Sequence, residues 1–152
     1  MVDDGDTGTR DPFDAGSCTC MNLRRAARAV SQAYDAALKP CGLKATQYTL
    51  LAMLDTLGPT PISQMSERLV LDRTALSRNL KPLERDGLVR IVPGADQRVR
   101  NAVLTAAGAR ALREATPRWQ AVQRRLADGL GEARWSGLLD DLGATIDTAL
   151  GR

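Results

Sequence analysis

The spacing of apolar residues along the chain predicts a mainly helical protein. From about residue 18 onward, apolar side chains recur every three or four positions, which is the period of one face of an α-helix. Polar caps such as Asp72 and Thr105, and breakers such as Gly58, stand between the periodic stretches and are typical of helix boundaries. We expect helices over about residues 18–39, 46–57, 73–86, 105–129 and 132–150, with a short helix after a Thr60-Pro61 cap.

A change of period after Gly87 predicts a β-hairpin. Leu88 to Val92 is short, apolar and β-branched, Pro93-Gly94-Ala95-Asp96 is a turn signal, and Val99 to Leu104 supplies a returning strand. A short helix, a tight turn, a polar-faced helix and a hairpin make a winged helix-turn-helix. The predicted fold class is therefore mainly α with a small β-hairpin wing, flanked by helices at both ends. Pro117 predicts a kink or a break in the long helix that follows the wing.

The helix over about residues 73–86 carries polar chemistry on one face. Steps of three and four residues bring two guanidiniums, an ammonium and two hydroxyls together, whereas leucines occupy the opposite face. Arginine pairs with guanine edges in the major groove, and serine and threonine reach bases or phosphates. We therefore expect this face to bind double-stranded DNA through Arg73, Thr74, Ser77, Arg78 and Lys81. The alternative is an ordinary solvated helix face.

The tip of the predicted hairpin is a second candidate DNA contact. A narrow β-wing that carries Arg98 and Arg100 can insert a cation into the minor groove, where the electrostatic potential is most negative. Asp96 is placed to orient the Arg98 guanidinium through a charge-assisted hydrogen bond. The alternative is a surface ion pair without a role in binding.

Four segments of the chain resemble the MarR (multiple antibiotic resistance regulator) family of winged-helix regulators. Leu71–Val89 is similar to the family's recognition-helix segment, Asp96-Gln97-Arg98 to its wing motif, and Leu104–Gly108 to the start of its fifth helix. Gly42–Tyr48 resembles the start of its second helix, with Lys44 in place of the usual hydroxyl cap. The resemblance implies a homodimer in which the first and the last two helices interlock and two wings project.

The terminal helices carry more apolar surface than one small winged helix can cover. A homodimer interface is favoured, and the alternative is a helical hairpin within one chain. We expect a flexible acidic arm over residues 1–15 and a single domain over 16–152, with the winged helix-turn-helix at about 45–104 and dimerisation helices at about 18–40 and 105–150. The residues that need partners are Trp119, Trp135, Leu138, Leu142, Ile146 and Leu150.

The cysteines are candidate sensor thiols. Cys18 and Cys20 flank the start of the first helix, where backbone amides and the helix dipole stabilise a thiolate that oxidants attack. The position of Cys20, 22 residues before Gly42, is similar to that of the reactive cysteine in the family's organic hydroperoxide resistance regulators. In that branch a tyrosine matching Tyr34 hydrogen-bonds the thiolate. Cys18 or Cys41 is a candidate resolving thiol, and the alternative for Cys41 is a small core residue.

The branch resemblance is incomplete, and a second kind of signal stays open. Arg24 and Ala45 stand where the peroxide-sensing branch has further tyrosines, so selectivity for peroxides does not follow. Members of the wider family often bind aromatic or lipophilic acids in a cleft between the dimer helices and the winged domain. The partners predicted are therefore double-stranded DNA, a second copy of the chain, and an oxidant or a small-molecule effector.

Composition narrows the classes of function. The formal net charge is +3, which is mild, and the chain contains no histidine, which removes the commonest general base. Three cysteines suit a reducing cytosol, and no apolar run is long enough to span a membrane. No cofactor is predicted, and a Cys-x-Cys metal site at Cys18 and Cys20 is the weaker alternative to a sensor thiol, because two thiolates without histidine need further ligands to complete a tetrahedral zinc site. A thiol-based redox enzyme using Cys20 is the alternative function, disfavoured because the chain lacks a Cys-x-x-Cys motif and a βαβ pattern. A third class, a winged helix that binds no DNA, is disfavoured by the converging cations.

Overall fold

The helices and the hairpin of the chain follow the predicted order, and one short strand that the sequence did not predict lies between the second and third helices. The computed structural model describes residues 10–152, and its contacts divide the chain into one unit that ends at Ala33 and a second that begins at Tyr34. The helices are α1 (Thr19–Leu38), α2 (Ala45–Leu57), α3 (Ile62–Arg68), α4 (Arg73–Arg85), α5 (Ala106–Leu130) and α6 (Glu132–Leu150). The strands are β1 (Thr60–Pro61), β2 (Val89–Pro93) and β3 (Arg100–Leu104). The predicted fold class, mainly α with a β-wing, is confirmed.

Two predicted helix caps are confirmed at the elements that matter most for the site. The Asp72 carboxylate accepts a hydrogen bond from the Ala75 amide at 2.7 Å, at the start of α4. The Thr105 hydroxyl accepts from the Gly108 amide at 3.0 Å, at the start of α5. Each cap satisfies an amide that the first helical turn leaves without a carbonyl partner, so each fixes where its helix begins.

The cap predicted at Thr60 is wrong. Thr60 and Pro61 form a short strand that pairs with β3, giving a three-stranded antiparallel sheet in the order β1-β3-β2. The Thr60 hydroxyl donates to the Gly58 carbonyl instead of accepting from the helix, and the residue is buried. A two-residue strand has no period to detect, and pairing with a distant strand decides its conformation.

Of the two outcomes predicted at Pro117, a kink or a break, the break is wrong, because α5 runs through this residue without interruption. Pro117 removes the amide that would bond the Arg113 carbonyl. Both residues lie on the exposed side of α5, where water can bind that carbonyl. The proline is therefore tolerated within the helix.

The core of the second unit sets the orientation of α4. Leu76, Leu80 and Leu83 of α4 are buried, together with core residues of α2, β2 and β3. Since the leucine face of α4 is turned inward, the opposite face is turned to solvent. This is the arrangement that the sequence predicts.

Trp119 does not need a partner chain, contrary to expectation. Its ring stacks on Tyr48 at a centroid distance of 5.5 Å and on Tyr34 at 6.3 Å, within the second unit. Trp119 therefore packs against the core of its own chain. At this point the apolar face of α5 is covered by the protomer's own core. Periodicity alone cannot distinguish such a core contact from a dimer interface.

The first unit contains the N-terminal arm and most of α1. The flexible arm predicted over residues 1–15 lies mostly outside the described residues, while residues 10–15 lead through a turn into a 3₁₀ turn at Ala15–Ser17. The Asn22 side chain donates to the Gly16 and Cys18 carbonyls at 2.9 and 3.0 Å, which ties this turn to α1. None of the helices in residues 10–152 is long and apolar enough to cross a bilayer.

Candidate nucleic-acid interface

The outward face of α4 forms a groove that joins the five predicted contact residues. The groove has a volume of about 420 Å³, and no acidic side chain lines it. Its lining consists of Arg73, Thr74, Ser77, Arg78 and Lys81. All five side chains are exposed, so their donors face water in the single chain. We call this surface the recognition groove.

The groove is held by elements on both ends of α4. At its start, Asp72 caps the helix. At its end, the Leu88 amide donates to the Leu83 carbonyl at 2.8 Å, and β2 begins at the next residue. The wing therefore leaves α4 directly, without a flexible linker between the two predicted DNA contacts.

The wing differs from the prediction in the role of Asp96. Its carboxylate accepts a hydrogen bond from the backbone amide of Arg98 at 2.9 Å, and no ion pair joins it to a guanidinium within residues 10–152. The Val99 amide also donates to the Asp96 carbonyl at 2.9 Å. Asp96 thus shapes the turn at the tip, which is the local bonding that Asp side chains favour in turns. The Arg98 and Arg100 side chains remain exposed.

Residues 43–99, which span α2 to the wing, match the MarR family. The chain is also 40% identical to the Mycobacterium tuberculosis transcriptional regulator MosR in a crystal structure with DNA. That match covers 87% of this chain and 98% of the MosR chain with a TM-score of 0.77. The chain belongs to the MarR family. It is accordingly a winged-helix transcriptional regulator.

Two further comparisons agree with this family. A second MosR structure is 37% identical, with 92% of this regulator and 99% of MosR covered and a TM-score of 0.79. A helix-turn-helix-type transcriptional regulator of Bacillus subtilis, YwoH, is 30% identical over 83 residues. The YwoH match spans 55% of this regulator and 61% of that protein. Because these relatives are transcriptional regulators, the thiol-enzyme alternative gains no support.

The candidate sensor thiols lie in different surroundings. Cys18 and Cys20 are exposed at the start of α1. Cys41 is half-buried, packs against the core, and approaches the Glu114 carbonyl with its Sγ at 3.9 Å. Cys41 therefore has the environment of a small core residue, whereas the other two thiols are accessible to an oxidant.

Tyr34 has a different hydrogen-bond partner from the one that the branch resemblance implies. Its hydroxyl donates to Oε1 of Gln123 on α5. Burial raises the pKa of the Tyr34 hydroxyl above its ordinary value of 10.0, and the nearby Tyr48 adds to the rise. The hydroxyl therefore stays protonated, its single proton is donated to Gln123, and its contact with a thiolate stays a prediction.

Asp35 is a residue that sequence reasoning missed. Its carboxylate accepts a hydrogen bond from the Ala45 amide at 2.7 Å, at the first residue of α2. It supplies the cap that Lys44 cannot, while Gln47 accepts from the Lys44 amide at 2.9 Å. No local pattern reveals this cap, because its acceptor comes from the previous helix.

Proposed function

We propose that this MarR-family regulator is a homodimeric repressor that binds a pseudo-palindromic operator through α4 and the wing. The observation that carries the proposal is the recognition groove, in which every lining side chain is a cation or a hydroxyl. A helix held by buried leucines and presenting such donors suits the major groove, where arginine reads guanine and hydroxyls reach bases or phosphates. Exposed Arg98 and Arg100 would add a minor-groove contact on each side.

The terminal helices support the homodimer. No residue of α6 is buried, and four of its large apolar side chains are 43–48% exposed: Leu138, Leu139, Ile146 and Leu150. Helix α1 likewise exposes Met21, Leu23 and Val30. The two helices have net charges of opposite sign, since α1 carries three arginines against Asp35 and α6 carries four acids, at 132, 140, 141 and 147, against Arg134. Association of two copies would bury these faces and place two recognition helices about 34 Å apart, one helical turn of DNA.

DNA titrations test the assignment of the two contact elements. With a duplex from the regulator's own upstream region, we expect Arg78→Ala to lower affinity and to reduce discrimination between operator and scrambled sequence, because it removes a base contact worth about 1–3 kcal/mol. We expect Arg98→Ala to lower affinity and reduce the salt slope by about one. Fluorescence anisotropy at several salt concentrations measures both.

The matched control is Arg10→Ala, which removes the same charge from an exposed residue outside α1, α4, α6 and the wing. It is expected to leave discrimination and slope unchanged. If Arg78→Ala loses the same affinity for operator and scrambled duplexes, Arg78 contacts a phosphate and not a base. If Arg98→Ala leaves the salt slope of DNA binding unchanged, the wing lies outside the interface.

Release of DNA by thiol oxidation is supported by the exposure of Cys18 and Cys20. A hydroperoxide would oxidise the Cys20 thiolate to a sulfenate, with an alcohol or water as the reduced product, and a second thiol would then condense with it and release water. The first turn of α1 begins between these cysteines, where Asn22 bonds the Cys18 carbonyl. A covalent change at this point would disturb the start of a helix proposed to form the dimer interface.

In vitro transcription tests repression and the signal together. Wild-type protein should lower transcription from its own upstream region, and cumene hydroperoxide should restore it. Cys20→Ser should still repress but respond weakly to the oxidant, whereas Cys41→Ser should behave as wild type. Equal recovery in wild type and Cys20→Ser would exclude the thiol and favour an effector, which salicylate and benzoate probe in parallel reactions.

A further inference from the structure

A second groove lies beside α4. Apart from Arg78, its lining residues have no role in the function described so far. It has a volume of about 890 Å³ and runs between the end of α1, the start of α2 and one side of α4. We call it the lateral groove. The lining residues used below are Asp35, Lys39, Lys44, Arg78, Arg85 and Asp86.

The lateral groove contains cations without ionic partners. Its two carboxylates are engaged, Asp35 by the Ala45 amide at 2.7 Å and Asp86 by the Arg85 guanidinium at 2.9 Å. Within residues 10–152, Lys39, Lys44 and Arg78 form no ion pair. The groove is lined by four cations, Lys39, Lys44, Arg78 and Arg85, against two carboxylates, so it carries a net positive charge.

The lateral groove adjoins the recognition groove through Arg78, which lines both. At 3.6 residues per turn, the centres of the two sets of α4 residues that line the grooves lie roughly a quarter to a third of a turn apart around the helix axis. An α-helix about 10–12 Å across nearly fills a major groove about 12 Å wide, so the flank of the helix meets a phosphate-bearing edge. The lateral groove is on such a flank.

The choice of side chain also fits a phosphate. The chain contains three lysines among its 21 basic residues, and all three line these two grooves: Lys39 and Lys44 the lateral one, Lys81 the recognition one. A lysine ammonium is a strongly hydrated point charge on a flexible stem, which suits a mobile phosphate oxygen better than a fixed base edge. Lys39 and Lys44 are both exposed.

We propose that the lateral groove binds the DNA backbone, with Lys39 and Lys44 as phosphate contacts that extend the interface from α4 to the junction of α1 and α2. The proposal rests on the proposed function, because it requires α4 to enter the major groove. Contacts of this kind carry no sequence information, so they raise affinity for every duplex and increase its dependence on salt.

Lysine footprinting tests this directly on the unmodified protein. The protein is acetylated with a water-soluble amine reagent, with and without a saturating 30-base-pair duplex of arbitrary sequence at low salt, and the extent of modification at each lysine is read by mass spectrometry. We expect DNA to protect all three lysines, and 1 M salt to abolish the protection. Lys81 reports the recognition groove, and Lys39 and Lys44 report the lateral groove.

The outcomes separate the two proposals. Protection of Lys81 alone would overturn the lateral contact and leave the proposed function intact. No protection of any lysine by a bound duplex would overturn both. A parallel arm with inorganic phosphate alone distinguishes the sources of the anion: protection of Lys39 and Lys44 by phosphate but not by DNA would make this groove a site for a small anion and would overturn the backbone contact.

Substitution gives a second, quantitative measurement. Lys39→Gln and Lys44→Gln should each reduce the salt slope of DNA binding by about 0.9, equally for operator and scrambled duplexes. Arg10→Gln, at an exposed residue outside α1, α4, α6 and the wing, is the control for net charge and should leave the slope unchanged. Unaltered slopes in both lysine variants, or a loss confined to the operator, would contradict a backbone contact.

Discussion

At the scale of single residues, two backbone positions restrict which side chains the fold accepts. Gly108, in the first turn of α5, lies so close to the residue before β2 that an added Cβ would sit 2.1 Å from the Leu88 carbonyl oxygen and 2.7 Å from Leu104 Cδ1. Val70, between α3 and α4, has a φ of +52°, the left-handed region that β-branched residues rarely adopt. Position 108 therefore accepts only glycine without a shift of its neighbours, and position 70 holds a valine in a backbone conformation that valine disfavours.

Gly108→Ala should destabilise the protein by about 1–3 kcal/mol, because α5 or β2 must shift to admit the methyl group. Thermal and urea unfolding measure the loss. Gly129→Ala is the matched control, since Gly129 lies on the same helix and an added Cβ there meets nothing within 4 Å. The control should be neutral or slightly stabilising. Equal losses of stability in Gly108→Ala and Gly129→Ala would show that the close approach of Gly108 to Leu88 does not exclude a methyl group.

Val70→Gly should stabilise the protein by about 1 kcal/mol, because relief of the left-handed strain exceeds the entropy that glycine adds to the unfolded chain. Val70 is 49% exposed, so little packing is lost. Val70→Asn should give a smaller gain, since asparagine tolerates this conformation. A lower midpoint of urea unfolding for Val70→Gly would refute the assignment of strain.

At the scale of elements, α4, the helix proposed to read DNA, is positioned by interactions on several sides of the winged helix-turn-helix. Buried leucines turn the recognition groove outward, Asp72 fixes the start of α4, and the wing follows its end without a linker. Helix α2, which packs against α4 and α5, is in turn capped by Asp35 from the last turns of α1. The cap therefore joins the last turns of α1 to α2 within the second unit.

Asp35→Ala should lower stability by about 1 kcal/mol, the usual cost of an N-cap acceptor. Asp35→Asn keeps an oxygen that can accept from the Ala45 amide, so it should lose less than half as much. Unfolding midpoints and helix content by circular dichroism measure both variants. Equal losses in Asp35→Ala and Asp35→Asn would mean that the cap contributes nothing and that only the charge matters.

At the scale of the whole molecule, the proposed repressor requires two copies. Helix α6 exposes an apolar stripe along its length, and a two-fold dimer would use the same stripe on both chains. Two linked heads bind two half-sites together, which raises affinity by about 10²–10⁴ over a single head. DNA binding and dimerisation should therefore fail together.

Ile146→Asp should dissociate the dimer and lower affinity for a two-site operator at least a hundredfold, a loss on the order of that avidity. Light scattering should give twice the 16.4 kDa chain mass for wild type and the single mass for the variant. Ile146→Val, which keeps an apolar side chain, should remain dimeric. A dimeric Ile146→Asp with wild-type affinity would place the interface elsewhere.

The predictions that were wrong for three residues share a physical cause. Thr60 pairs with a strand some forty residues away, Asp96 bonds the backbone amide of Arg98, and Trp119 stacks on tyrosines of α1 and α2. Each outcome depends on a neighbour that folding brings close or on a local choice between two acceptable partners. Periodicity cannot select among such partners, because it reports only that a side chain is apolar or polar.

The sequence by itself determined the order of the helices, the hairpin, the caps at Asp72 and Thr105, and the face of α4 that carries the cations. These follow from period and local bonding, which act over a few residues and leave a direct trace in the chain. Only the tertiary structure decided that Asp35 caps α2, that β1 completes the sheet, and that Lys39 and Lys44 share a groove with Arg78. Those arrangements join residues from different elements, and the packing of the core, not the spacing along the chain, sets the distances between them.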